Sequence, residues 1–463
     1  ARFYGTTTPY WDILMQRRIA TVGDLDGDGL GDLVLGGGGG TMQNTVCVIY
    51  GFGEGADRAV PDLAISAATG PHHQCLAGGT NFGMPAASAG DLNGDGVRDL
   101  AVGEASTTAP VLKVFLGVAG GRLAAAPNLT FTGMQHASGG PTAVAVAGGF
   151  DFDGDGIQDL LVGSYGQNRA YLVPGNSAWG PATSATIDLS SATDLGTYRV
   201  SIFQMNGAPA GTFFGVRVAA VGDLQRNGHD DIAIGTATAP SQVLVFQGRA
   251  VPTPTTFEVN YGTGGADDSR VIRLVPDQET TSGNFGTTIA GMTDLDGDGL
   301  PEVMVSQPAA STQTPPKTLV VFRGGYLAGR YGQKVKVDAN TGTGTGIFQN
   351  ERGLEVIGSY DKMVPVGNLD DDPSGPSVDL AYIVYTTGST RGKVFVRLNH
   401  DDPAGAFDTG TFPWESPVLV DPLDPSGTRF GYFGAASPGD FNGDGLPDLL
   451  VGTDGSGYAM LLY

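Results

Sequence analysis

The sequence predicts an all-β fold, a seven-bladed propeller of four-stranded blades that spans residues 1–463 as a single domain. Three observations predict it. An acidic loop recurs seven times, short apolar runs stand at the same places around each copy, and 75 of the 463 residues are glycine without a collagen period. Many short strands joined by glycine-rich turns is the composition of a sandwich, barrel or propeller. Repetition at a fixed period then selects the propeller.

The loops begin at residues 24, 91, 151, 223, 294, 368 and 440, which are 60 to 74 residues apart with no long gap. Before each loop stands a short β-like run, as in Val216-Arg-Val-Ala-Ala-Val221. After it comes an apolar run such as Leu33-Val-Leu35, Leu160-Leu-Val162 or Leu449-Leu-Val451. Runs this short, bounded by Gly and Asp, read as buried strands. A third strand follows, as in Val46-Cys-Val-Ile-Tyr50 or Val243-Leu-Val-Phe246. The fourth is more variable, with Thr186-Ile-Asp-Leu189 and Val418-Leu-Val420 as candidates. Four strands per unit suits a propeller blade, and a closed ring leaves only short, protected edges. The last unit stops at Tyr463 in its third strand, while about 23 residues precede the first loop. Residues near 1–7 are therefore expected to complete the last blade.

The formal net charge is −23, from 48 acidic and 25 basic residues. Such a chain repels phosphate backbones and anionic lipid surfaces, which argues against nucleic-acid binding. No apolar run reaches the 18 residues of a membrane span, so no direct membrane insertion is expected. The chain starts at Ala1 without an apolar signal segment, as a processed product would. Cys47 and Cys75 are the two cysteines, and a disulfide or two buried thiols fit the sequence equally.

Much of the acid is concentrated in the loops. Loop 1 carries Asp24, Asp26, Asp28 and Asp32, with Leu30 at the seventh position. Loop 3 repeats it with Asp151, Asp153, Asp155, Ile157 and Asp159, and loop 5 with Asp294, Asp296, Asp298, Leu300 and Glu302. Loop 2 has Asp91, Asn93, Asp95, Val97 and Asp99, and loop 7 has Asp440, Asn442, Asp444, Leu446 and Asp448. Short oxygen-bearing side chains at positions 1, 3 and 5 converge on one centre when the backbone turns tightly. The apolar seventh residue offers its carbonyl, and the acid at position 9 offers one or two more oxygens. Calcium takes six to eight such oxygens. This is the first half of an EF-hand loop without its helix, since a β-like run follows. Aspartate and glycine also favour metal-free turns. Four carboxylates within a few ångströms repel each other strongly, however, which favours a divalent cation between them. Magnesium fits less well, because it prefers a water-rich octahedral shell.

Calcium is thus expected in loops 1, 2, 3, 5 and 7. Loop 6 offers Asn368, Asp370 and Asp372, but its last acid, Asp379, arrives three residues late, which leaves its occupancy open. Loop 4 reads Asp223-Leu-Gln-Arg-Asn-Gly-His-Asp-Asp231. No metal is expected there, with the Arg226 guanidinium available to take the cation's place.

Phe82-Gly83, Phe214-Gly215, Phe285-Gly286 and Phe430-Gly431 stand nine or ten residues before their loops. With the acidic loop, this pattern resembles the FG-GAP repeat of integrin α subunits over essentially the whole chain. The resemblance implies calcium in loops on one face of the ring and partner binding by loops on the other. Units 1, 3 and 6 lack a clear Phe-Gly, and the Gly-Ala-Pro element after the second strand is missing. The chain therefore looks like a free-standing or prokaryotic relative.

The function expected from this is a calcium-stabilised extracellular module that binds a protein or glycan ligand, as in adhesion. Candidate contact loops are residues 36–44, 104–110, 307–316, 386–392 and 190–211. Tyr198, Phe203, Trp179 and Trp414 are candidate aromatic anchors, with packing between blades as the plainer role for each. A lectin is a near variant, though no Trp motif repeats across the blades. A hydrolase or lyase with a site at the axial channel mouth is the alternative from another class. No nucleophile elbow and no His-Glu-x-x-His are present. His72-His73-Gln-Cys75 hints at a soft-metal site but has no second half, and a loop is expected there.

Overall fold

The fold was taken from a computed structural model. It describes residues 1–5, 19–36, 44–54, 59–65, 69–104, 109–135, 144–237, 241–262, 268–276, 285–294, 298–308, 317–336, 363–367, 379–385, 392–397, 418–419, 429–454 and 458–463. Its strands form seven sheets, one for each repeat unit. In unit 1, Ile19–Gly23, Asp32–Gly36, Thr45–Ile49 and His73–Ala77 lie in antiparallel order, with the acidic loop joining the first two. Unit 6 repeats the order with Met363–Gly367, Asp379–Tyr385, Gly392–Arg397 and Val418–Leu419. Unit 5 shows Ile289–Gly291, Val303–Pro308 and Lys317–Phe322 among its described residues.

The first strands of the units line up side by side. Ile19–Gly23 contacts Phe82–Gly90, which contacts Ala145–Phe150, then Arg217–Gly222, then Ile289–Gly291. Arg429–Gly439 of unit 7 contacts both Met363–Gly367 and Ile19–Gly23, which brings the end of the series back to its beginning. The fold is a β-propeller. As expected, the N-terminal strand Arg2–Gly5 pairs antiparallel with Tyr458–Leu462 and completes the last sheet. The Ala1 amino group donates to the Leu461 carbonyl at 2.9 Å, and burial lowers its pKa.

The core sits between consecutive sheets. Leu33 and Leu35 face Leu450 and Leu461 of unit 7, whereas Val34 between them packs with Leu100 and Val102 of unit 2. The second strands are thus buried on both faces, which is why they read as unbroken apolar runs. Cys47 and Cys75 sit opposite each other on neighbouring strands and form a disulfide.

Three expectations change here. Four sheets carry a fifth strand, donated by the connection between the third and fourth strands of the next unit. Leu63–Ile65, Ala185–Asp188, Thr256–Asn260 and Lys334–Lys336 each lie parallel to the outermost strand of the preceding sheet. Residues 186–189 therefore do not form the fourth strand of unit 3, a role taken by Ser201–Asn206. Pattern alone cannot tell the two apart, because a short β-branched run suits either edge. Residues 190–211 are accordingly not a loop: they hold a one-turn helix, Ala192–Thr197, and that fourth strand. The third correction concerns His73, which opens a strand instead of lying in a loop, while Cys75 is tied into the disulfide.

Candidate metal centres in the acidic loops

The loops share one backbone. The position-1 carboxylate accepts from the amide of the position-6 glycine in loops 1 to 5 and 7, where described, at 2.6 to 3.0 Å. Those glycines have φ between +80° and +95°, a conformation that L side chains rarely adopt. The position-5 side chain accepts from the amide at position 7, as Asp28 does from Leu30 at 2.8 Å and Asp155 from Ile157 at 3.0 Å.

The acid at position 9 has a role that the sequence pattern did not reveal. It is fully buried, and in loops 1 to 4 each of its oxygens accepts a backbone N–H. Asp32 takes Leu25 at 2.7 Å and Gly51 at 2.8 Å. Asp99 takes Leu92 and Gly117, Asp159 takes Phe152 and Gly175, and Asp231 takes Leu224 and Gly248. The clamp ties the loop to a glycine just past the third strand. A Cβ on Gly117, Gly175, Gly248 or Gly324 would lie 2.2 to 2.5 Å from the position-8 carbonyl of its own loop. The signal was present in the sequence as Tyr50-Gly, Leu116-Gly, Pro174-Gly, Gln247-Gly and Arg323-Gly. Burial outweighs the two hydrogen bonds and pushes Asp32 up to about 8 and Asp99, Asp231 and Asp448 to about 7.

Among the described residues, three sets of acids bring one oxygen each within 4.8 Å of one another. They are Asp24, Asp26 and Asp32; Asp151, Asp153 and Asp159; and Asp294, Asp298 and Glu302. Asp26 Oδ1 and Asp153 Oδ1 are buried without a hydrogen-bond partner. Burial, with the charges of Asp28 and Asp24 next, raises Asp26 to about 6. Asp153 is raised by burial and by Asp155. A lone buried carboxylate oxygen is costly, and a hard divalent cation is the partner that an all-oxygen set suits. The residues present fit calcium in loops 1 and 3. Arg199, with φ +57°, reaches Asp153 Oδ2 at 3.4 Å and partly offsets its charge.

Loops 2 and 7 carry asparagine at position 3. There the Asn93 and Asn442 amides donate to Asp95 and Asp444, so the third position is internally satisfied. Asp296 of loop 5 and Asn368, Asp370 and Asp372 of loop 6 lie outside the described residues. Asp379 stands opposite Gly367, the register that Asp32 holds opposite Gly23. Its extra residues thus fall within the loop, before the clamp position. Arg226 does not enter loop 4: it donates to the carbonyls of Asp298 and Gly299 in loop 5.

Neighbouring loops are stapled together. The position-8 amides Gly31, Arg98 and Asp230 donate to the position-1 carbonyls of Asp440, Asp24 and Asp151, at 2.8 to 2.9 Å. In units 2, 3 and 4 the connection beyond the third strand also covers the preceding loop, with Val118 donating to Leu25, Gly120 to Asp26, Asn176 to Leu92 and Arg249 to Phe152.

Of the candidate contact loops, residues 37–43, 105–108, 309–316 and 386–391 lie outside the described residues, as does Trp414. Phe203 is fully buried in the core between units 3 and 4, and Trp179 is 7% exposed. Tyr198 packs against the core between units 2 and 3. Phe203 and Trp179 are packing residues, not anchors, and Tyr198 is half-buried. The buried Phe82, Phe214 and Phe285 are each followed by a glycine at positive φ. A Cβ on Gly215 would meet the Arg169 carbonyl of the previous unit at 2.2 Å. The Phe-Gly pair is therefore a wedge between sheets.

Residues 142–176 and 432–459 match the family model of the FG-GAP repeat. The chain is 27% identical to integrin alpha-V of Gallus gallus over 223 residues, which is 47% of this chain and 19% of that protein. It is 30% identical to integrin alpha-5 of Xenopus laevis over 173 residues, 35% of this chain and 15% of that protein. The chain thus spans less than a fifth of the length of these curated relatives. Among solved structures, the BP39L lectin from Burkholderia pseudomallei superposes with a TM-score of 0.50 at 13% identity, covering 97% of this chain and 95% of that one. The class is a β-propeller in which two of the repeat units match the FG-GAP repeat. In particular, the chain has integrin-alpha-type homology at modest identity, and neither the family model nor these proteins is named for an enzyme. No helix among the described residues is long and apolar enough to cross a membrane.

Proposed function

We propose that this chain is a calcium-stabilised, extracellular binding module that holds a protein or glycan ligand through loops on the face opposite the acidic hairpins. The observation that carries the calcium part is the unpartnered, buried oxygen of Asp26 and Asp153 amid converging carboxylates. A cation there ties together the two strands that the hairpin joins. Millimolar calcium outside cells fills even modest oxygen sites. The Cys47–Cys75 disulfide also suits an oxidising compartment. The ligand-binding part rests on the likeness to integrin alpha chains and on sharing a fold with a lectin. Glycan is kept beside protein for that second reason. The internal burial of Trp179 and Phe203 argues against an aromatic sugar platform built from them.

Elemental analysis of the dialysed protein, with titration calorimetry in calcium chloride, tests the first part: several calcium ions per chain are expected. Glycan-array and pull-down screens with and without chelator test the second. A chain that retains no calcium and melts identically in chelator would end the calcium reading.

A further inference from the structure

We infer that loop 4 is a cation-independent copy of the acidic loop, locked by the Tyr331 hydroxyl and the Gln247 carboxamide where the other loops use a metal ion. This deepens the calcium reading of loops 1 and 3 and rests on it for the contrast. Loop 4 keeps the shared backbone: Asp223 accepts from the amides of Asn227 and Gly228, and Asp231 from those of Leu224 and Gly248. Its interior differs. Position 3 is Gln225 and position 5 is Asn227, so two of the four carboxylates of loop 1 become neutral amides.

Donors occupy the oxygens that would otherwise ligate. Gln225 Oε1 accepts from Asn227 Nδ2 at 3.2 Å and from Gln247 Nε2. Asn227 Oδ1 accepts from the His229 amide at 2.9 Å, as the position-5 carboxylates accept from position 7, but the asparagine has no second oxygen to offer a cation. Asp231 Oδ2 accepts from the Tyr331 hydroxyl at 2.5 Å as well as from Leu224. Asp26 Oδ1 and Asp153 Oδ1, by contrast, have no donor. A cation needs free lone pairs on its ligands, and N–H and O–H groups aimed at the same oxygens exclude it.

The fold explains how Tyr331 gets there. In units 2, 3 and 4 the connection past the third strand covers the preceding loop. In unit 5 that connection carries Tyr331 and Ala328, whose carbonyl accepts from Gln225 Nε2 at 3.5 Å. It continues into Lys334–Lys336, the strand that pairs with unit 4. Tyr331 is thus held from both sides over loop 4. Gln247 stands where unit 1 has Tyr50, unit 2 Leu116 and unit 3 Pro174, so among these units only unit 4 places a carboxamide there.

Hydrogen exchange of the full chain, read by mass spectrometry in calcium chloride and after chelation, tests this. Chelation is expected to raise exchange tenfold or more at residues 24–32 and 151–159 and to leave residues 223–231 within twofold. Tyr331→Phe is expected to raise exchange at 223–231 equally in both conditions, with bound calcium per chain unchanged by elemental analysis. Gln247→Leu serves as the second variant if Tyr331→Phe does not fold. Opening of 223–231 on chelation to the same degree as 24–32 overturns the inference. So does unchanged protection there in both variants. If no hairpin responds to chelation and no calcium is bound, the calcium reading fails instead, and the variants alone decide loop 4.

Discussion

Removing divalent cations should steepen the fall of this protein's stability with rising pH. The position-9 carboxyls are fully buried, and in the cation-free fold Asp32 titrates near 8 and Asp99, Asp231 and Asp448 near 7. In the unfolded chain an aspartate titrates near 3.9. The folded pKa is raised, so the fold holds protons that the unfolded chain has released. Stability from these groups is complete below about pH 4 and is lost as the pH rises through 7 to 8. A shift of about three units makes each ionised carboxyl cost on the order of 4 kcal/mol. A chain of this length has an unfolding entropy of about 1 kcal/mol per kelvin, so each group lowers Tm by roughly 4 °C. Bound calcium favours the ionised form and cancels the loss in loops 1 and 3, leaving the smaller decline due to Asp99, Asp231 and Asp448. The assay is differential scanning calorimetry of metal-stripped protein from pH 5 to 8.5, with and without millimolar calcium. A metal-free Tm that rises with pH, or slopes that do not differ between the two series, would refute the reasoning.

Other substitutions probe the loops singly. Asp153→Asn should lower bound calcium by one ion per chain and lower Tm in calcium while leaving the chelated Tm nearly unchanged, as checked by elemental analysis and calorimetry. Arg199→Met removes a guanidinium 3.4 Å from Asp153 and should tighten calcium binding several-fold, mainly at low salt, in a calorimetric titration. Gly175→Ala would place a Cβ 2.4 Å from Ile157 Cγ2 and 2.5 Å from the Gln158 carbonyl and disturb the bond to Asp159. A loss of about 2–5 kcal/mol is expected in denaturant titration. Cys47→Ala with Cys75→Ala opens a crosslink between residues 28 apart and should cost about 3–4 kcal/mol in the same measurement.

The sequence made the ring legible because one loop recurs with its strands, and each copy repeats the same physical demand for a tight turn and converging oxygens. Asp26 and Asp153 were legible as candidate metal ligands by that convergence. The clamp at Asp32 and its equivalents was not, because its partner, a glycine about 20 residues on, carries no side chain to advertise it. Arg226 was assigned to the wrong loop: residue spacing cannot say that a side chain crosses to its neighbour. Tyr198 and Phe203 look like exposed anchors only if residues 190–211 are a loop. The parallel fifth strands escaped notice because pairing between units leaves no periodic trace within either one.

Those borrowed strands bear on how the molecule comes apart. In a stacked solenoid, each module can melt alone, because it touches only its neighbours' faces. Here Leu63–Ile65 of unit 1 lies on Arg2–Gly5, and that strand in turn closes unit 7, so the two ends of the chain share one sheet. Excising a module that donates a strand, unit 1, 3, 4 or 5, bares a hydrogen-bonding edge on the one before it. Denaturation should accordingly proceed as a single event, and fragments with a module missing should aggregate through the bared edge.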